Sequence, residues 1–148
     1  MPKTQAKQKK KKNMSVWTWI GIGMVVVVAV ALVYFLIPRQ GAGAMPAEIS
    51  VTDAYEKRES GAYILDVRQP EEWDQVHIPG ATLIPLGELQ SRLSEVPRDQ
   101  EVVVVCRSGN RSQEGRNILR QAGFEQVTSM AGGMNQWMSS GYEWVSGQ

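Results

Sequence analysis

A chain of 148 residues is long enough for one domain of ordinary size and too short for two separate cores. The net charge of +1 hides an asymmetry: residues 1–12 hold six lysines and no acid, whereas the stretch from Ala47 onward sets nine basic residues against all fifteen acidic ones, a net −6. An acidic domain lacks the clustered basic surface that nucleic acid demands, and one cysteine with one histidine can build neither an internal disulfide nor a structural zinc site, so no nucleic-acid partner, metal or cofactor is expected.

Residues 1–15 form a basic tail. Residues 16–37 follow as 22 residues without a charge, which at about 1.5 Å per residue span a hydrocarbon core of about 30 Å as a helix. Trp17 and Trp19 at one end and Tyr34 at the other sit where aromatic rings favour the headgroup boundary, and Pro38 ends the segment. A buried strand is far shorter, and a cleavable signal peptide, for which Ala42-Gly43-Ala44 offers a small-residue site, has an apolar run of only about 7 to 15 residues. The reading is therefore a single-pass transmembrane helix in the cytoplasmic membrane, in contact with lipid. Basic flanks stay inside, so the tail faces the cytoplasm and the rest of the chain is extracytoplasmic. Residues 38–46, rich in Gly, Ala and Pro, read as a linker.

From residue 47 to 148 short apolar runs alternate with helical stretches, the rhythm of an α/β domain. A strand is expected over 49–51, a helix over 52–60 capped by Thr52 or Asp53, and strands over 63–67 and 82–84, with a helix over 86–93. Four valines at 102–105 indicate a strand covered on both faces, in the middle of a parallel sheet. A helix over 112–122 stops at Gly123, a last strand covers 127–129, and a closing helix over 133–140 presents Trp137 to the core.

Cys106 ends the valine strand and is followed by Arg107-Ser108-Gly109-Asn110-Arg111 and then a helix. In open α/β sheets ligands bind at such strand-to-helix junctions. The loop turns backbone N–H groups inward as an anion nest, and Gly109 and Asn110 are the types that tolerate positive φ there. A thiol in that nest beside Arg107 and Arg111 is expected to be a reactive nucleophile, although a lone cysteine is more often a small buried hydrophobe.

Cys-Arg-Ser-Gly-Asn-Arg-Ser at 106–112 resembles the active-site loop of single-domain rhodaneses. Leu65-Asp66-Val67-Arg68-Gln69-Pro70-Glu71-Glu72-Trp73 with His77-Ile78-Pro79-Gly80-Ala81 resembles the upstream signature of that family, and Gly132-Gly133-Met134-Asn135-Gln136-Trp137 with Gly141-Tyr142 its C-terminal signature. The resemblance implies a five-stranded parallel sheet flanked by helices. It also implies a sulfurtransferase in which Cys106 takes a sulfane sulfur from thiosulfate or a persulfide donor and passes it to a thiol or cyanide-like acceptor. Carried over by position, Arg107, Ser108, Gly109, Asn110 and Arg111 bind the donor and cradle the persulfide, Arg111 through its side chain, while Asp66 and Arg68 brace the loop. His77 is structural, and Gly115, where many relatives carry alanine, suggests close packing of helix on sheet. Cysteine phosphatases use a longer loop, with arginine six positions after the cysteine, where this chain has Ser112. The remaining alternative is a rhodanese-like domain that only binds a partner or senses sulfur.

Overall fold

The computed structural model describes residues 45–147. The basic tail and the transmembrane helix expected over 16–37 lie outside the described residues, and among the described residues no helix is long and apolar enough to cross a membrane.

Five parallel strands form one sheet: β1 (Glu48–Ile49), β2 (Tyr63–Asp66), β3 (Thr82–Leu83), β4 (Val102–Val105) and β5 (Val127–Met130), in the order β1-β5-β4-β2-β3. The helices are α1 (Val51–Glu59), α2 (Pro70–Gln75), α3 (Leu86–Leu89), α4 (Asn110–Gln121) and α5 (Gly133–Ser139), with a 3-10 turn at Leu93–Glu95. This is the five-stranded α/β architecture that the motifs implied.

The valine strand sits at the centre, as its unbroken apolar character requires. All four valines have no exposed surface, and they divide by the two-residue period of a strand. Val102 and Val104 pack with Leu65, Val67, Leu89 and Leu119 on one face, and Val103 and Val105 with Ile64, Ala54, Met130 and Trp137 on the other. Each such side chain contributes roughly 1.5 to 3 kcal/mol by leaving water. Gly115 of α4 lets that helix lie on the sheet: a Cβ there would stand 3.1 Å from Val104 Cγ1 and 3.3 Å from Val67 Cγ1.

Several boundaries differ from those expected. The first strand stops at Ile49 because Ser50 caps α1: its Oγ accepts the Asp53 N–H at 3.1 Å, and the Asp53 carboxylate accepts the Ser50 N–H at 3.2 Å. The helix expected over 86–93 ends at Leu89, where the N–H groups of both Ser91 and Arg92 turn back to Glu88 O. Helix α2, which the apolar pattern does not announce, begins with Pro70 at its first position and Glu72 in its first turn. Helix α4 starts at Asn110, two residues earlier than expected. The last residues tie onto α2, where His77 and Val145 form an antiparallel bridge.

Candidate active site

Cys106 follows β4 at the carboxyl edge of the sheet, between β2 and β5, and is 1% exposed. The chain then turns sharply through Gly109, whose φ of +109° favours glycine and which serves as the N-cap of α4. Its N–H donates to Cys106 Sγ at 3.1 Å, so the sulfur lies at the N-terminus of a twelve-residue helix, where partial positive charge gathers. The Cys106 thiol lies 3.6 Å from Ser112 Oγ, which in turn donates to Gly109 O at 2.7 Å and locks the turn. Positive φ falls on Gly109 alone of the loop; Asn110, expected to share it, is already helical, because one left-handed residue suffices to reverse the chain into α4.

A second helix end holds the loop from behind. The N–H groups of Met134 and Asn135 at the start of α5 donate to Cys106 O at 2.8 Å and Arg107 O at 3.0 Å. Since N–H and C=O of a trans peptide point in opposite directions, this turns the N–H groups of Arg107 and Ser108 away from α5. The approach is close enough to require glycine at 133, where φ is +54° and a Cβ would fall 2.3 Å from Cys106 O.

Arg111, expected to face an anionic donor, is engaged by a residue of α2. Its Nη1 and Nη2 donate to Glu72 Oε2 and Oε1 at 2.7 and 2.8 Å, a bidentate pair with both side chains about a third exposed or less. Hydrogen bonding from Arg111 holds the Glu72 carboxyl down at about 2, and Glu72 in turn raises the Arg111 guanidinium above its ordinary value. Arg107 and Ser108 are exposed at the rim, and Arg107 makes no ion pair among the described residues.

Asp66 and Arg68 are buried together. Arg68 Nη2 donates to Asp66 Oδ2 at 2.6 Å and to Val76 O at 2.7 Å, tying the end of β2 to the end of α2. The pair holds in place the helix that carries Glu72, which is a bracing role. His77 stacks on Trp73 at 3.7 Å and its Nδ1 lies 3.0 Å from Trp73 O, so it too belongs to the scaffold. Beside the loop lies an open cleft of about 370 Å³, with Arg107, Glu72, Val76, Met134 and Met138 among its walls.

The sequence assigns no site role to Glu72, Ser112 or Gly133. Glu72 lies two positions after a helix-starting proline, which is the one signal it offers. Ser112 and Gly133 belong to stretches that carry the resemblance, but the sequence does not show that Ser112 locks the turn or that Gly133 meets the backbone of a loop far off in the chain.

The family model for the rhodanese-like domain matches residues 50–140. The chain is 37% identical over 100 residues to the putative sulfur carrier protein YrkF of Bacillus subtilis, covering 66% of this chain and 54% of that protein. It is 38% identical over 78 residues to a sulfurtransferase of Allochromatium vinosum, covering 53% of this chain and 73% of that one. Among solved structures, a rhodanese-related protein from Thermoplasma volcanium superposes with a TM-score of 0.63 at 32% identity, covering 68% of this chain and 98% of that one. The chain thus spans about half the length of its Bacillus subtilis relative.

Proposed function

The chain belongs to the rhodanese-like family, and from that premise we propose that it is a membrane-anchored sulfurtransferase in which Cys106 carries the transferred sulfur. The observation that carries this reading is the single thiol at the α4 N-terminus, with the Gly109 amide 3.1 Å from Sγ. Relatives named as sulfurtransferase and sulfur carrier imply a sulfur donor and an acceptor in general.

In the loading step the Cys106 thiolate attacks the outer sulfur of thiosulfate or of a persulfide. An Sγ–S bond forms, the donor's S–S bond breaks, and its electron pair leaves with sulfite or with the donor thiolate. Helix α4 and the loop amides favour the anion on both sides of the step, thiolate before and persulfide after. Burial of the cysteine limits the approach to a group as slender as a terminal sulfur. In the second step a thiol or cyanide takes that outer sulfur and the thiolate returns, so no oxidant or reductant is consumed when cyanide is the acceptor.

The anchor rests on the uncharged run at 16–37, and the extracytoplasmic placement of the domain on the six lysines before it. A pure carrier or sensor would load sulfur at Cys106 but release it only to one bound partner. Mass spectrometry of the reduced protein after exposure to donor should find one added sulfur on Cys106, released by cyanide as thiocyanate. Cys106→Ser, nearly equal in size, should keep the fold and lose both signals; turnover in that variant would remove the reading.

A further inference from the structure

The bidentate contact between Glu72 and Arg111 places a fixed carboxylate where an oxyanion donor would seek a cation. Both arms of the guanidinium that face Glu72 are filled, at 2.7 and 2.8 Å, and the two side chains span 39 positions of sequence between α2 and α4. Helix α2 is not free to swing away, because Arg68 holds its C-terminal end through Val76 O and is itself locked on buried Asp66. From the other side, the Gln69 N–H donates to Glu72 Oε2 at 3.3 Å, so the carboxylate is held by its own helix as well.

We propose that Glu72 is a specificity-determining residue: by occupying the fork of Arg111 it turns the site away from dianionic thiosulfate and toward the terminal sulfur of an organic persulfide. The proposal rests on the sulfurtransferase reading above and names its donor class. An anion that seeks the Nη1–Nη2 fork of Arg111 has to displace Glu72, and one that meets the remaining N–H groups still lies beside the negative charge of that carboxylate. A persulfide whose carbon part is uncharged needs no such exchange. The cleft next to the loop has room for that carbon part. Its volume of about 370 Å³ exceeds that of a five-atom anion, at most about 150 Å³ at one water's share of about 30 Å³ per heavy atom. Val76 and Met138 give the cleft an apolar side that suits a carbon chain, Met138 being 37% exposed, while Arg68 and Arg107 line its polar side. Glu72 acts through Arg111, as a positioning residue, and takes no part in breaking bonds. In the step itself Cys106 Sγ bonds to the outer sulfur, the S–S bond of the persulfide breaks, and the thiolate that leaves with the electron pair is protonated from solvent.

The test is single-turnover loading of the reduced full chain by thiosulfate and by 2-mercaptoethanol persulfide released in situ, read as sulfur on Cys106. The wild-type protein should load from the persulfide at least tenfold faster per mole of donor. Glu72→Gln keeps the shape and removes the charge, and should narrow that gap about tenfold by speeding thiosulfate. Glu72→Asp, which keeps the charge, should retain the wild-type preference. A merely structural strut would slow both donors together, so an unchanged donor ratio in Glu72→Gln overturns the proposal. Equal loading of the wild-type protein by the two donors overturns it too, without reliance on any variant. Sulfur from neither donor would overturn the transfer reading itself, and the selectivity with it.

Discussion

Removing the Arg111 side chain would uncover the Glu72 carboxylate beside the loop, so the anionic donor would meet a bare negative charge where a paired one stood. Arg111→Ala is expected to slow loading from thiosulfate tenfold to a hundredfold, the size of roughly 1.5 to 3 kcal/mol that one charge-assisted contact carries. Discharge of the persulfide to an acceptor should change less. Arg111→Lys should restore part of the rate, because an ammonium keeps the charge but cannot meet both oxygens of Glu72 in one plane. The pair can be separated from either residue alone: Glu72→Gln with Arg111→Ala leaves no net charge change and should load faster than Arg111→Ala. Stopped reactions followed by mass spectrometry would measure all of these. If Arg111→Ala loads from thiosulfate at the wild-type rate, the loop backbone alone binds the donor and Arg111 serves only to hold α2.

Among the elements, α2 and α4 are joined at the site by the Glu72–Arg111 pair, and this pair has a signature in acid. The Glu72 carboxyl is held at about 2 against its ordinary 4.5, chiefly by the hydrogen bond from Arg111. A depressed carboxyl favours the folded state above its unfolded value and loses that contribution as pH falls through the folded one. The stabilisation is therefore complete above about pH 5 and should fade between there and pH 2. Solvent reaches both side chains, so its size is on the order of 1 to 2 kcal/mol after screening. Denaturant unfolding at pH 7 and pH 3 should show the difference between wild type and Glu72→Gln shrinking in acid. An unchanged difference would mean that the pair adds nothing to the union of the helices. Behind the loop, α5 plays the complementary part, with its N-terminal amides holding the carbonyls of Cys106 and Arg107 and so fixing the shape of the loop.

For the whole chain, charge is unevenly distributed along the sequence. Six lysines precede the uncharged run, and the part after Ala47 carries a net −6, and on this asymmetry rests the proposal that the N-terminus stays in the cytoplasm with the domain outside. A protease that cannot cross the membrane should digest the domain in intact cells or spheroplasts. Protection until lysis would reverse the orientation. An outward domain also bears on chemistry, because the acceptor or reductant that clears Cys106 would then have to be supplied on that side.

Information that is local in the chain was legible without a structure. Four valines ending at a cysteine define a buried central strand, and the residues at 106–112 are contiguous, so their order states both the turn and its place before a helix. The uncharged run at 16–37 is likewise a matter of length and composition, and the membrane helix expected from it lies outside the described residues. What the sequence could not state are contacts whose partners lie far apart. Glu72 meets Arg111 only because β2 and β4 are neighbours in register, Asp66 beside Val105, which brings the helices that follow them to the same edge. Gly133 meets the Cys106 carbonyl only because β5 lies on the other side of β4. Side-chain type leads to the expectation that the loop holds an anion. The occupancy of Arg111 depended on which of fifteen acidic residues the sheet order carried within 3 Å of it, and that is decided by the packing of the whole domain.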